Sequence, residues 1–363
     1  MLTVTPPRLE GLVHCWQQSP PRVRGLVWLG ALAAALGCGG GQTRDASPGA
    51  DAQVASFAVV GFTDLLSADA RSHGLSGISW DASAGLLWAI SDSTPQLVRL
   101  QPSADFTSWT LGDALAVTGA GTWDGEGVVR TATGFYCSDE SATRVLPVDA
   151  AGAAGTALGL PAHFGHARSN KSLESLSQSP DGRYLFTMNE AALPEDGPVA
   201  TTAQGSRLRL LRIDLTSGEQ TERAYLTDVV PAAGSGDLGV SDVAALSATR
   251  LVVLERSWVS GVGNSVRLYR VDLDLAPEVI DEAALTDATA SLPKELLLDL
   301  ATLPEDGFPP PPETQPTRVL ANFEGLALGP TQSDGTRLLF LQSDDNDSAT
   351  QAARVLVLAA TGL

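Results

Sequence analysis

Apolar and polar residues alternate along most of this chain in short runs, and the runs come in pairs. Five pairs share one pattern: Leu75-Ser76-Gly77-Ile78 to Ser91-Asp92, Glu126-Gly127-Val128 to Asp139-Glu140, Glu174-Ser175-Leu176 to Asn189-Glu190, Asp242-Val243-Ala244 to Leu254-Glu255, and Glu324-Gly325-Leu326 to Ser343-Asp344. Alternation over stretches this short predicts β-strands. Turn-forming residues join the two members of a pair, as in Ser179-Pro180-Asp181-Gly182 and Gln332-Ser333-Asp334-Gly335, so each pair reads as a hairpin. A hairpin brings its chain back to where it began. The opening and closing residues of each copy should therefore share one end, and five hairpins stacked alike would gather them on one face.

Further alternating runs lie between the pairs, at residues 96–100, 144–148, 207–213, 265–271 and 353–358. Several alternate charged with apolar residues, Arg207-Leu208-Arg209-Leu210 for instance, which predicts one wet face. Each repeat then supplies about four strands, two inner and two outer, the content of a propeller blade. The last repeat runs out of chain after its third strand. The strand-like run from Val54 to Gly61 is available to complete it, closing the ring with both ends of the domain in one blade. Five blades are counted. Six stay open, because the openings at 242 and 324 stand 82 residues apart, enough for a degenerate blade. The preferred account of that gap is an insertion, with residues 280–294 of helix-compatible composition and 303–316 a Pro-rich surface loop. A sandwich or a β-helix would not give repeats of this length and regularity.

Composition agrees with an all-β body. Of 363 residues, 44% are apolar, ample for a core, while only 18% are charged and 36 are Gly and 22 Pro, which suits short strands and many turns.

The amino end differs from this body. Arg22 and Arg24 precede an apolar run over residues 25–37 that ends at Cys38. This run is too short to span a bilayer as a helix, which takes about 20 residues, and it reads as a signal peptide over residues 1–37. Ala35-Leu36-Gly37-Cys38 resembles the lipobox of bacterial lipoproteins, with Ala35 where Leu is usual. That resemblance implies acylation of Cys38. A cleaved signal with an incidental Cys is the alternative, and the long stretch before the apolar run leaves room for a start downstream of Met1. Residues 38–53 are small and polar, as in a flexible tether, ahead of a domain over 54–363. The expectation is an exported, monomeric protein of the cell envelope, periplasmic or on the outer surface, meeting the membrane through its lipid anchor only.

Without residues 1–37 the chain keeps 20 basic against 41 acidic residues, a net charge of −21. Such a surface repels phosphate backbones, so nucleic acid is excluded as a partner and cations, divalent metals among them, are favoured. Cys137 is the one thiol left within the body. No internal disulfide framework is possible, and its apolar strand predicts a buried, inert thiol.

Nine of the ten opening and closing positions are acidic: Asp92, Glu126, Glu140, Glu174, Glu190, Asp242, Glu255, Glu324 and Asp344, with Ser76 the exception. Like charges around a narrow channel raise one another's pKa, so something positive should sit among them. Candidates are a hard, oxygen-seeking cation such as Ca²⁺, or the basic residues Arg71, His73, Lys171 and Arg256. Equally open is a structural role, in which acids at hairpin ends accept backbone N–H groups of the next blade. Other motifs are poorer. No G-x-S-x-G elbow occurs, His163 and His166 lack a third zinc ligand, and Asp344-Asp345-Asn346-Asp347 lacks the Gly and Glu of an EF-hand.

Taken in order, the motifs around Ser76, Glu126, Glu174, Asp242 and Glu324, with Asp124-Gly125 and Asn322-Phe323 preceding two of them, resemble the phytase-like family, described as "esterase-like activity of phytase", over about residues 54–360. The resemblance implies an exported or periplasmic propeller that hydrolyses phosphate esters, with Ca²⁺ as a cofactor. Hydrolysis would use a carboxylate-held metal that activates a water, on a small-molecule phosphate ester or another ester. A non-catalytic propeller that binds a ligand or an envelope partner is the alternative.

Overall fold

Strands form where the alternating runs predict them, and their hydrogen bonds sort them into five antiparallel sheets. The structure is a computed structural model and describes residues 54–65 and 68–363; the expected signal segment, Cys38 and the tether to residue 53 lie outside the described residues. Blade 1 is β2 (Leu75–Asp81), β3 (Leu86–Ser91), β4 (Gln96–Pro102) and β5 (Trp109–Ala116). Blade 2 is β6 (Gly125–Arg130), β7 (Gly134–Asp139) and β8 (Arg144–Asp149), and blade 3 is β9 (Ser177–Gln178), β10 (Tyr184–Met188), β11 (Arg207–Asp214) and β12 (Gln220–Leu226). Blade 4 is β13 (Gly236–Ala245), β14 (Arg250–Val259), β15 (Gly263–Asp272) and β16 (Lys294–Asp299). Blade 5 is β17 (Phe323–Thr331), β18 (Arg337–Ser343), β19 (Arg354–Thr361) and β1 (Ser56–Asp64), which pairs with β19 as its outermost strand.

The innermost strands touch in sequence, β2 to β6 to β9 to β13 to β17 and back to β2. The molecule is a five-bladed β-propeller whose ring is closed by its first strand. No described helix is long and apolar enough to cross a membrane.

The core is five apolar layers, one between each pair of neighbouring blades. Trp88 and Ile90 of blade 1 meet Phe135 and Cys137 of blade 2, Val145 meets Leu185 and Leu211, Met188 and Leu208 meet Val253, Leu254 and Leu268 meet Leu341 and Leu356, and Phe340 and Val357 meet Leu87 and Val98. A blade buries both of its faces, which is why runs such as Leu251-Val252-Val253-Leu254 carry no polar face. Cys137 is fully buried there, and burial pushes its thiol well above the ordinary range.

Three local expectations are corrected. Blade 2 has three regular strands, and its outer edge is completed by irregular chain: Gly155 N–H donates to Pro147 O (2.7 Å) and Leu158 N–H to Val145 O (2.9 Å). Residues 280–294 form no helix. They lie along the free edge of β12, with Val279 N–H on Glu222 O (3.2 Å) and Leu292 N–H on Ala224 O (2.8 Å), so edge pairing overrides helical composition. The gap before residue 324 thus holds an insertion and the fourth strand of blade 4, and no sixth blade.

The third correction concerns the wet faces. Arg209 and Arg354 sit in alternating charged runs and are the two largest fully buried side chains. The insertions cover them. Arg209 donates to Asp196 (2.7 and 2.8 Å), to Glu222 (3.1 Å) and to the carbonyl of Glu282 (3.0 Å). Arg354 grips Asp64 of the closing strand through two bonds (2.6 and 2.9 Å) and donates to Arg318 O (2.7 Å), at the end of the Pro-rich loop over 303–316. That loop is pinned by Phe308, stacked on Phe62 with centroids 4.0 Å apart. Arg354→Leu should lower the unfolding free energy by about 2–3 kcal/mol, below the cost of breaking a fully buried pair because Asp64 is partly exposed. Urea denaturation checks it, with a lower midpoint and an unchanged slope.

Candidate metal centre in the propeller channel

One piece of backbone geometry repeats at the channel end of the blades. The residue that closes the inner hairpin donates its N–H to the carbonyl two residues before the opening position: Asp92 to Gly74 (2.9 Å), Glu140 to Asp124 (2.8 Å), Glu190 to Ser172 (2.8 Å) and Asp344 to Asn322 (3.0 Å). In blade 4 the matching pair is Gly239 and Arg256. Between this bond and the regular ladder the register slips, at Leu75/Ile78, Gly125/Val128, Val240/Asp242 and Phe323/Gly325. Such a bulge leaves a residue out of the ladder and re-aims its side chain. The bulged residues are Ser76, Glu126, Ser241 and Glu324, with Glu174 at the same offset in blade 3.

This register corrects two of the nine expected carboxylates. Blade 4 is displaced by one residue from the sequence alignment, so Ser241 and Arg256 hold the places assigned to Asp242 and Glu255. Asp242 falls at the position of Gly77 and Gly325, where the innermost strands come closest: a Cβ would stand 2.3 Å from Glu126 O at Gly77 and 2.6 Å from Ser76 O at Gly325. Its carboxylate reaches into both neighbouring blades, accepting from Leu326 N–H (2.6 Å), its neighbour Val243 N–H (2.8 Å) and Leu176 N–H (3.4 Å). That is the structural role held open for all nine. Glu255 points the other way, to Tyr225 Oη (2.6 Å), Asp228 N–H (2.9 Å) and Lys294 Nζ (2.6 Å).

The remaining seven, Asp92, Glu126, Glu140, Glu174, Glu190, Glu324 and Asp344, line one central cavity of about 200 Å³. Asp124, Asp237, Asn170, Asn322 and Asn346 join them, with Lys171 and Arg256. Nine carboxylates thus share the cavity with two cations. Both cations serve one side of it: Lys171 Nζ lies 2.8 Å from Glu190 and 2.7 Å from Asp237, and Arg256 Nη2 lies 3.1 Å from Glu324. The opposite side, from blades 5, 1 and 2, holds Asp92, Asp124, Glu126, Glu140 and Asp344. No cationic side chain pairs with these five among the described residues; Glu126 accepts from Ser76 Oγ (2.8 Å) and Glu140 from Ser172 N–H (2.5 Å). Carboxylate oxygens of Asp124, Glu126 and Glu140 all lie within 4.8 Å of one another. Asp344 is 2% exposed, and its Oδ1 is buried without a hydrogen-bond partner among the described residues. An all-oxygen cluster with an unpaired buried oxygen fits a hard divalent cation.

The electrostatics follow. Burial, reinforced by neighbouring acids, holds Glu126, Glu174 and Asp344 well above the carboxylate range and raises Glu140 to about 7. Burial lifts Asp92 to about 6, with Asp347 and Asp124 adding to it. Against its own burial, Lys171 is raised to about 12 by Glu190 and Asp237.

Two of the expected substrate-binding residues lie away from this wall. Arg71 binds Asp69 (2.6 Å) and Gly112 O (2.5 Å), and His73 Nδ1 meets Asp345 (2.6 Å). His163 and His166 are held separately, by Glu222 (2.7 Å) and Glu195 (2.8 Å). Sequence reasoning missed Asp124, Asp237 and Ser241. Aligning the blades on the apolar residue of each motif, Ile78, Val128, Leu176, Val243 and Leu326, would have found Ser241 and Arg256, and would have set Asp124 level with Asn322.

A family model described as "Phytase-like: Esterase-like activity of phytase" matches residues 70–347. The chain belongs to this family. None of the curated proteins compared matches it. Among solved structures, this phytase-like propeller is similar to a PQQ-bound aldose sugar dehydrogenase from Streptomyces coelicolor, at 14% identity, covering 85% of this chain and 98% of that one with a TM-score of 0.41. An endo-arabinase from Bacteroides thetaiotaomicron gives 12% identity, 83% and 96% coverage and a TM-score of 0.44.

Carboxyls with raised pKa bind more protons in the folded than in the unfolded chain, so their contribution is present at low pH and is lost as pH rises. In chelator, stability should therefore fall from about pH 4, the unfolded carboxylate value, through the values of Asp92 and Glu140, about 6 and about 7. Ion-paired acids such as Asp81, held low at about 2, and Asp214, held well below the carboxylate range by Arg183, act in the opposite direction and only below that window. Melting temperatures across pH 4.5–8 test this, and a flat or rising profile in chelator would contradict it.

Proposed function

We propose that the central cavity binds a hard divalent cation of the Ca²⁺ class and that this phytase-like propeller uses it to hydrolyse a phosphate ester. The reading is carried by one observation, the excess of nine carboxylates over two cations in a single small cavity. Asp124, Glu126 and Glu140 would hold the ion, with Asp92 and Asp344 beside them. When bound, such an ion polarises a phosphoryl oxygen and lowers the pKa of a coordinated water.

The chain's own groups supply the rest. Lys171 and Arg256, though paired with Glu190, Asp237 and Glu324, are the cationic donors on the opposite wall and would meet phosphoryl oxygens. Glu174 is buried and faces Glu126, Glu190 and Glu140, which raises its carboxyl well above the ordinary range and suits it to donate a proton to a leaving oxygen. The wall is built from charged and amide side chains, so the substrate portion that enters is polar and small. The targeting pattern that ends at Cys38 supports export and an acyl anchor. Incorporation of labelled palmitate that persists in Cys38→Ser would overturn that anchor.

In the chelator-stripped protein, Ca²⁺ at a hundred times its Kd should add about 2.7 kcal/mol of stability and switch on turnover of a generic phosphomonoester. Glu126→Gln should lose both effects. Glu174→Gln should keep the Ca²⁺-induced stabilisation and lose turnover, more steeply for substrates with poor leaving groups. Stabilisation without turnover on any ester would leave a binding propeller, and turnover indifferent to chelator would remove the metal.

A further inference from the structure

The channel has a second cavity at its other end, beyond the ring of acids. Its inner wall is Ile78, Val128, Leu176 and Leu326, each two residues past an opening position, so an apolar belt lies between the two cavities. The space is about 330 Å³, within the range of small-molecule sites. In a chain with a net charge of −19, the described residues that line it include two arginines and no carboxylate.

The two arginines differ. Arg130 is committed, with Nε on Asp81 (2.9 Å) and Nη1 on Gly134 O (2.9 Å). Arg337 begins β18, and its Nε is buried with no hydrogen-bond partner among the described residues. No ion pair reaches it among the described residues, and burial pulls its pKa down. A buried N–H of a charged group left without an acceptor costs free energy that a ligand oxygen would return. Two hydroxyls face the same space with their protons to give. Ser79 Oγ accepts Arg130 N–H (2.9 Å) and Ser177 Oγ accepts Ala245 N–H (2.9 Å), so each is committed as an acceptor.

Donors without acceptors complement an anion. We propose that this cavity binds a small oxyanion, a carboxylate or phosphate group, on Arg337, with Ser79 and Ser177 as further donors and the apolar belt against the rest of the ligand. The site is separate from the acidic cavity and does not depend on a metal there.

The test uses the full protein in chelator, titrated with inorganic phosphate and, separately, with acetate, following the Nε–H resonance of Arg337 by NMR. Saturable displacement of that resonance is expected with at least one probe, and the stronger binder names the class. Affinity should weaken at least about tenfold in Arg337→Gln, as for loss of a charge-assisted bond, and stay unchanged in Arg256→Gln. No displacement with either probe overturns the site, as does affinity that survives Arg337→Gln or is lost in Arg256→Gln, which would place the anion at the acidic end. Where Arg337→Gln fails to fold, the resonance of the unsubstituted protein decides.

Discussion

Like-charge repulsion in a confined space is the constraint around which this propeller is organised. Five inner hairpins deliver their first and last residues to one cavity of about 200 Å³, and most of those residues are acids. Left to relax, they would separate. They are held by the five apolar layers between blades, which are close-packed and resist a change of spacing, and by glycines such as Gly77 and Gly325 that let the innermost strands meet backbone to backbone. The fold thus forces a charge problem that the side chains alone solve only in part.

Blades 3 and 4 show how far the chain goes toward solving it. The register slip at Ser241 replaces one carboxylate with a hydroxyl and puts Arg256 where the other blades close with an acid. Lys171 adds a second cation beside it. Both lie against Glu190, and together with Asp237 and Glu324 they form a wall whose charge is largely offset. Among the described residues, blades 5, 1 and 2 have no equivalent, and there Asp344 keeps a buried oxygen without a hydrogen-bond partner. The asymmetry is itself informative: Asp242, which serves structure, receives three backbone donors, whereas Glu140 has one, from Ser172, and Asp344 Oδ1 has none among the described residues.

Much of this was readable without coordinates, and the failures have causes. Hairpin periodicity is local, so blade number, closure by the first strand and seven of the cavity acids follow from spacing. A one-residue slip is not local. Asp242-Val243 and Glu324-Gly325 look alike along the chain, yet the bulge at Ser241 turns Asp242 from the cavity toward the backbone of its neighbours. Arg209 and Arg354 misled for another reason. Alternation says that a charge points off the sheet and cannot say what covers it, and here chain inserted far away in sequence does. Residues 280–294 have helix-forming composition but spend their hydrogen bonds on the open edge of β12, a partner that the segment itself does not encode.

The two ends of the channel come from the same five strands. Counting three residues on from each opening position gives Ser79, Val129, Ser177, Ala244 and Ala327, all on the wall of the second cavity and none charged. At about 3.3 Å per residue the two rings stand roughly 10 Å apart, comparable to the Debye length of about 8 Å at physiological ionic strength and across an apolar belt that screens less than water. Arg337 stands farther still: it begins β18, seven residues before Asp344, roughly 23 Å along the strand at about 3.3 Å per residue. At more than two Debye lengths the acids have little hold on its charge, and burial is what lowers its pKa. An anion at Arg337 and a cation among the acids can therefore be held at the same time, opposite charges at opposite ends of one set of strands.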